Sequence, residues 1–323
     1  MKAIHAIVAV LSLLMTASAS AQTPYPSTIV RILVGFPAGT APDVAARMIA
    51  DKMAVSLGKP VVVENLSGAS GNLACDRVAK SQPDGYTLVM CGNGSLVVAP
   101  SLYEKLPYDP VKDFAPIARV FVAANLLVVH PDVPAQSLPE LVALAKAKPG
   151  ELTYGHTGVG TSQHLAGELF KSMAKVNIQP IAYRGTTAVL PDLLAGRITM
   201  GFANIVNVVP LVREGKLRAF AVSSRKRSAL MPDLPTMIES GFPNYEAVPW
   251  FGLMAPAGTP QPIIDRLHDE TVKALAAPEV RKALEMQGLD LIGGTPAEFS
   301  DTIRAEIPYW AKVIKDAGIK AGD

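Results

Sequence analysis

The sequence predicts an α/β fold of two domains with mainly parallel sheets, and three observations carry this. Short apolar strands alternate with amphipathic helices almost throughout, the pattern of strand–helix–strand units. Two segments in different halves share one layout of strand, small-residue loop and helix. The first reads Ile32-Leu33-Val34, then Gly35-Phe36-Pro37-Ala38-Gly39-Thr40-Ala41, then a helix opening at Pro42-Asp43. The second reads Leu152-Thr153-Tyr154, then Gly155-His156-Thr157-Gly158-Val159-Gly160-Thr161, then a helix opening near Ser162. Finally, two extended stretches, near residues 117–130 and 245–255, read as crossovers between lobes, which makes the first domain discontinuous.

The first residues read as a secretory leader. Lys2 gives the positive start, Ile7 to Met15 an apolar run far shorter than a membrane span, and Ala19-Ser20-Ala21 a small-residue cleavage site. No cysteine lies there, which argues against a lipoprotein. Cleavage after Ala21 starts the mature chain at Gln22 and leaves about 300 residues, enough for two domains with sizeable cores. The division expected is a signal peptide over 1–21, domain 1 over 22–122 plus 249–323, and domain 2 over 123–248. With Lys2 gone, 29 basic residues face 28 acidic ones, which argues against nucleic acid or an anionic membrane as partner. No later stretch is apolar enough to span a bilayer. The two cysteines, Cys75 on a helix and Cys91 ending the next strand, either pair in an oxidising compartment or stay as small buried thiols.

The elements follow in order. Val44, Met48, Ile49, Met53 and Leu57 make one apolar helix face, ended by Gly58 with Pro60 just beyond. Pro60 to Glu64 is a β-branched strand; a helix runs from Asn72 to about Ser81, and a strand from Tyr86 to Cys91. Leu106-Pro107-Tyr108-Asp109-Pro110 is a proline-fixed loop. Arg119 to Val129 is extended, with Leu126 to Val129 buried on both faces. A helix over Leu138 to Ala147 precedes the Tyr154 strand, and the Ser162 helix precedes a strand over Gln179 to Ala182. Arg184-Gly185-Thr186 opens another helix, with strands over Ile198 to Phe202, Leu217 to Val222 and Trp250 to Ala255. The C-terminal part reads as helical, with Thr259 as N-cap before Pro260 and a capping box at Thr295-Pro296-Ala297-Glu298.

Catalytic patterns are absent. Gly68-Ala69-Ser70-Gly71 and Gly92-Asn93-Gly94-Ser95 do not match a nucleophile elbow, and Gly155 to Ser162 lacks the lysine of a P-loop. Gly158-x-Gly160 lacks the third glycine of a dinucleotide fingerprint. Of His130, His156, His164 and His268, only His156 and His164 share a loop, and nothing completes a zinc set. Neither cofactor nor metal is expected. What remains is two helix N-termini with small-residue approaches, and such an end offers unpaired N–H groups to an anion.

These residues also carry a resemblance. Tyr25-Pro26, Gly35-Phe36-Pro37-Ala38-Gly39 with Asp43, Val61-Val62-Val63-Glu64-Asn65, Gly71-Asn72, Pro83-Asp84-Gly85-Tyr86-Thr87-Leu88 and Leu106-Pro107-Tyr108-Asp109-Pro110 come first. Gly160-Thr161-Ser162, His164-Leu165-Ala166-Gly167-Glu168, Asp192-Leu193-Leu194-Ala195-Gly196, Gly215-Lys216-Leu217-Arg218-Ala219, Trp250-Phe251-Gly252 and Pro256-Ala257-Gly258-Thr259-Pro260 follow. In this order and spacing the mature chain resembles the extracytoplasmic solute-binding proteins of tripartite tricarboxylate transporters, the Bug receptors. The resemblance implies a two-lobed, type II-like periplasmic binding protein, each lobe a sheet flanked by helices, with a hinge and a ligand cleft between. It implies a monomer with no enzymatic activity. The receptor would capture a small carboxylate (a di- or tricarboxylate or an aromatic acid) and deliver it to a permease of one small and one large integral subunit. Sensing for a membrane histidine kinase is the alternative, and a periplasmic hydrolase a more distant one.

Carried onto this chain, the resemblance assigns ligand contact to Phe36, Ala38, Gly39, Thr40 and Asp43 in the first loop. It assigns Asn93, Gly94 and Ser95 beside them, and His156, Thr157, Gly158, Thr161 and Ser162 in the second loop. Tyr183, Arg184, Gly185, Thr186 and Asn204 line the second lobe. Departures stand out: Thr40 where members often have a second glycine, His156 for serine or alanine, Arg184 for lysine, and Phe202-Ala203-Asn204 for Phe-Asp-Asn. Losing that aspartate and gaining donors suits a purely anionic ligand. His156 either lines the cleft or points to solvent.

Overall fold

The computed structural model describes residues 25–183 and 186–320; the leader, its Ala21 cleavage point and the Gln22 start lie outside the described residues, as do Arg184 and Gly185. The first half runs β1 (Val30–Val34), α1 (Ala41–Leu57), β2 (Val61–Asn65), α2 (Asn72–Ala79), β3 (Thr87–Gly92), a π-helical turn (Gly94–Val98), α3 (Ala99–Leu102) and β4 (Phe114–Ala123). Next come β5 (Asn125–Val129), α4 (Leu138–Ala147), β6 (Thr153–His156), α5 (Ser162–Ala174), β7 (Gln179–Ala182), α6 (Thr186–Leu194), β8 (Met200–Asn204), α7 (Ile205–Arg213) and β9 (Arg218–Val222). The chain ends with β10 (Trp250–Pro256), α8 (Gln261–Ala276), α9 (Pro278–Glu285), β11 (Leu289–Gly293) and α10 (Pro296–Asp316). Among the described residues no helix is long and apolar enough to cross a membrane.

The strands form two sheets, ordered β11-β4-β10-β3-β1-β2 and β7-β6-β8-β5-β9. Both are mixed rather than mainly parallel. β1 pairs β2 and β3 in parallel, and β6 pairs β7 and β8 in parallel. β10, β4 and β11 add antiparallel to the first sheet, and β5 and β9 to the second. The reason is the route of the chain. The chain leaves the first sheet at Ala123, enters the second at Asn125 and re-enters the first at Trp250, so β5 and β10 run against the strands beside them, β8 and β3. The return passes from β9 to β10, and the two crossings touch where Ala123 N–H donates to the Pro249 carbonyl at 2.8 Å. Registers place these crossings at the carboxyl ends of the parallel strands: Phe251 faces Gly92 in the first sheet and Asn125 faces Asn204 in the second.

Local chemistry sets the boundaries. Gly58, in the left-handed region at φ 65°, ends α1. Ser137 caps α4 by accepting the Glu140 N–H, and Thr295 with Glu298 forms the expected capping box. Three readings are corrected. The C-terminal part is not all helix, because β11 lies at a sheet edge against β4. Pro260 is itself the N-cap of α8, with extended backbone, and Pro262 is the first-turn proline, where a missing N–H costs nothing. Gly155 and His156 belong to β6 rather than to the following loop.

Leu126 to Val129 are fully buried, and so are Ile32, Val89 and Leu253 in the first sheet. α10 rests on β4, the π-helical turn and α5, and so joins the two sheets from one side. Cys75 and Cys91 are bonded across 6.6 Å between Cα atoms, tying α2 to β3. The bond closes a loop of 16 residues, for which removal costs about 2–4 kcal/mol. We therefore expect the double variant Cys75→Ala, Cys91→Ala to lose that much unfolding free energy in urea melts, with a lower midpoint. An unchanged midpoint would show that the bond adds nothing to stability.

Candidate functional site

Both strand–loop–helix segments end at the carboxyl ends of their sheets, beside the crossings. In the first, Gly35 lies so close to Gly71 that a Cβ would sit 2.6 Å from the Gly71 Cα, so only glycine fits. Phe36 meets Phe251 edge-on at 5.3 Å, which seats the loop on β10. Ala38 and Gly39 are exposed at its tip and Gly39 adopts φ +81°. Thr40 is the N-cap of α1, but its hydroxyl donates back to Pro37 O at 2.7 Å, and no side chain caps the helix. The first-turn N–H groups are thus left for another acceptor.

Asp43 braces this loop from below. Its carboxylate, 2 % exposed, accepts the Gly39 N–H at 2.9 Å, Asn65 Nδ2 at 2.8 Å and Arg47 Nε at 3.1 Å. Burial pushes its carboxyl up, and the hydrogen bonds from Arg47, Gly39 and Asn65 outweigh burial to hold it below the usual range. Asn65 also donates to Phe36 O at 3.0 Å. Asn93 and Ser95 are buried and engaged as well: Asn93 Nδ2 donates to Val248 O on the return crossing at 3.1 Å, and Ser95 Oγ donates to Ser70 O at 3.0 Å. Gly94 between them borders open space.

The second loop is built differently. Thr161 is the N-cap of α5; its Oγ1 accepts the His164 N–H and donates to Gly158 O at 2.7 Å. Thr157 Oγ1 and Ser162 Oγ both donate to Gln163 Oε1, at 3.1 and 3.4 Å, and Asn125 Nδ2 donates to Ser162 Oγ at 3.3 Å. Asn125 Oδ1 is buried with no hydrogen-bond partner among the described residues. Gly158 and Gly160 adopt positive φ, and Gly160 packs against Leu102 and Val98. Through that contact the second loop touches the helix that follows β3.

His156 does not point to solvent. It is 3 % exposed, its ring stacks on His164 at 4.2 Å, and its Nδ1 lies 3.0 Å from Gly158 O. Burial pushes its imidazole below the ordinary value, against the Gly158 hydrogen bond and the Glu168 charge. Tyr183 is turned onto α6: its hydroxyl donates to Asp192 Oδ2 at 2.8 Å, and burial with Asp192 raises it to about 12. Asn204 caps α7 by accepting the Val206 N–H at 3.1 Å. Arg184, Gly185 and the Thr186 side chain lie outside the description. Asn65, Ser70, Asn125 and Gln163, which brace the loops, escape a reading of the chain alone. Their partners lie far along the sequence or depend on one helix turn, so only the Asn65 position, ending a strand beside the loop, gives a hint.

What results is two backbone cradles at helix ends whose nearby side chains are mostly committed to bracing. Helix ends of this kind are suited to an anion through their N–H groups. Comparison with known proteins adds the family. Residues 45–319 match the family described as tripartite tricarboxylate transporter family receptor. The chain is similar to Protein BugT of Bordetella pertussis, 38 % identical over 307 residues that span 95 % of this chain and 94 % of BugT. It is similar to the adipate-bound structure of an R. palustris protein, at 36 % identity and TM-score 0.76, covering 92 % of this chain and 99 % of the other. It is also similar to the malate-bound structure of MatC from Rhodopseudomonas palustris, at 33 % identity and TM-score 0.73, covering 90 % and 100 %.

The bracing role of Asp43 has a measurable sign. A carboxyl lowered in the folded state contributes stability above its unfolded value, lost as pH falls through the folded one. We expect Asp43→Asn to cost about 1–3 kcal/mol at neutral pH, with the gap to the parent protein closing below about pH 4. Urea melts across that range check this, and a gap that stays constant would refute it.

Proposed function

Because this chain belongs to the tripartite tricarboxylate transporter receptor family, we propose that it captures a small dicarboxylate between its two sheets in the periplasm and passes it to a membrane permease. It is a solute-binding receptor for a carboxylate, and its family is one of receptors rather than an enzyme class. One observation carries the choice of a dicarboxylate: a helix N-terminus with a small-residue approach on each sheet, both at the ends from which the crossings leave. Two such ends suit two carboxylates joined by a short linker. Adipate and malate, held by two of the similar proteins, have that form. An ammonium group is disfavoured, because Asp43, the carboxylate beside the first loop, is already saturated by three partners.

On this reading the lobes are 22–122 with 249–323, and 123–248, and the ligand lies between them. Backbone N–H groups around the α1 and α5 N-termini are its main contacts, other than those of Gly39, Thr40, Gly158, Gly160 and Thr161, which bond within the loops, with Gly94 at the open side. Asn204 stands on the second lobe's side, and Arg184, Gly185 and Thr186 are further candidates for ligand contact that the resemblance assigns. Closing of the lobes desolvates the carboxylates, and a ligand of the wrong length leaves donors unpaired. A leader cleaved after Ala21 delivers the receptor to the periplasm as a monomer, where one small and one large membrane subunit receive the ligand.

A thermal-shift screen of the chain from Gln22 tests this with adipate, malate, citrate, benzoate and glutamate. Adipate or malate should raise the melting temperature in a concentration-dependent way, because a ligand that binds only the folded state stabilises it. A shift with glutamate alone, or with none of the five, would overturn the dicarboxylate reading. The double variant Thr161→Val, Ser162→Ala should weaken binding about tenfold or more while losing only about 1 kcal/mol of stability with the cap. Titration calorimetry reads that change, and equal affinity would remove the second loop from the site.

A further inference from the structure

Beneath the second loop two imidazoles lie ring on ring. His156 ends β6 and His164 sits in the first turn of α5, with centroids 4.2 Å apart and planes within 13°. Both are buried, at 3 % and 6 % exposure. Each reaches the loop through Nδ1. The Gly160 N–H donates to Nδ1 of His164 at 3.2 Å. The Gly158 N–H donates to Nδ1 of His156 at 3.3 Å, and the same nitrogen lies 3.0 Å from Gly158 O. His156 can therefore serve Gly158 as acceptor or donor. His164 can serve the Gly160 N–H only as acceptor, so its Nδ1 must carry no proton.

A proton placed there sets donor against donor and releases the Gly160 amide. A second proton on His156 puts two like charges face to face. Among the described residues, Tyr154, Glu168 and Lys171 face the rings. Tyr154, from β6, lies 5.8 and 6.5 Å from the two rings and donates its hydroxyl to Glu168 at 2.7 Å. Glu168, from α5, also holds Lys171 at 2.7 Å, so its charge is already shared. The end of α10 closes the other side through Ala317, Gly318 and Ile319, with Lys320 following, around a cavity of about 260 Å³. Burial also favours the uncharged His156 ring.

We propose that His156 and His164 are positioning residues whose neutral, stacked rings hold the Gly158–Gly160 turn in its anion-receiving shape, so that carboxylate capture weakens as the surroundings acidify. This rests on the dicarboxylate-receptor reading above. The turn it concerns leads into the α5 N-terminus and sets where Val159, Thr161 and Ser162 stand. The device is local, since the same rings leave the sheet pairing of β6 untouched.

The test is adipate affinity by calorimetry between about pH 7.5 and pH 5.5, with malate as second probe. It is run on the parent protein and on His164→Asn, whose Oδ1 offers a similar acceptor that does not titrate. The variant meets the same ligand ionisation, so a difference between the two profiles belongs to the protein. The parent should lose about tenfold more affinity across the window than the variant. Parallel profiles, or affinity that rises on acidification, would overturn the proposal. Amide NMR of the ligand-free parent is the second measurement. The Gly158 and Gly160 signals should move together as the pH falls across the window. Signals flat across the window would overturn the proposal even where no variant folds. Failure of adipate and malate to bind at any pH would instead strike the receptor reading, and the amide signals would then decide the inference alone.

Discussion

The structure depends on one constraint: the chain crosses between its sheets twice, and both crossings leave from the same ends. Ala123 N–H to Pro249 O joins them, and Asn93 Nδ2 to Val248 O fastens the return crossing to the end of β3. Parallel strands linked by helices place every strand-to-helix loop at the carboxyl end of the sheet. Once both crossings occupy that end in both sheets, the two loop sets share one side of the molecule. The mixed strand directions follow from the same route, because β4, β5, β9 and β10 are the strands that feed it.

The loops gathered there are held from behind. Asp43 and Asn65 fix the first, and Gln163, Asn125 and the two histidines fix the second. Each brace is a side chain bonded to loop backbone or to a loop hydroxyl, and a buried bond of this kind contributes about 1 kcal/mol net while its loss costs more. What these braces leave is main-chain N–H groups, which carry no rotamer entropy and which only a substitution to proline removes. Such a cradle is preorganised, so less ordering is left for the ligand to impose. Asn125 Oδ1, buried without a protein partner among the described residues, is the exception: it is an acceptor waiting for a donor at the base of the second loop.

Much of this was legible in the chain. The helices Leu138–Ala147 and that opening at Ser162, the strand Gln179–Ala182 and the capping box at Thr295 need only nearby residues, and these elements coincide with the reading. β11 was not legible, because five residues between two helices bury mainly their ends and owe their strand pairing to β4, far away in sequence. His156 shows the same limit. Spacing puts it beside the glycines and suggests a loop residue, but pairing of β6 with β7 keeps it in the sheet, and the ring then packs on His164. The candidate ligand loops could be located from their small residues, whereas the braces could not. A brace such as Asn125 to Ser162 spans 37 positions and exists only after the crossing has formed.

The crossings also decide where the molecule can bend. Any rotation of one sheet against the other must be absorbed at Ala123–Asn125 and Val248–Trp250, since these are the two points where chain passes between sheets. The second is anchored on its far side as well: Trp250 Nε1 donates to Glu306 of α10 at 2.9 Å, and Trp310 Nε1 donates to the same carboxylate at 3.3 Å. Burial pushes the Glu306 carboxyl up, against the two indole hydrogen bonds, so the anchor sits where an added charge is least welcome. α10 touches β4 of the first sheet and α5 of the other half, so a rotation of one sheet against the other has to move past this helix.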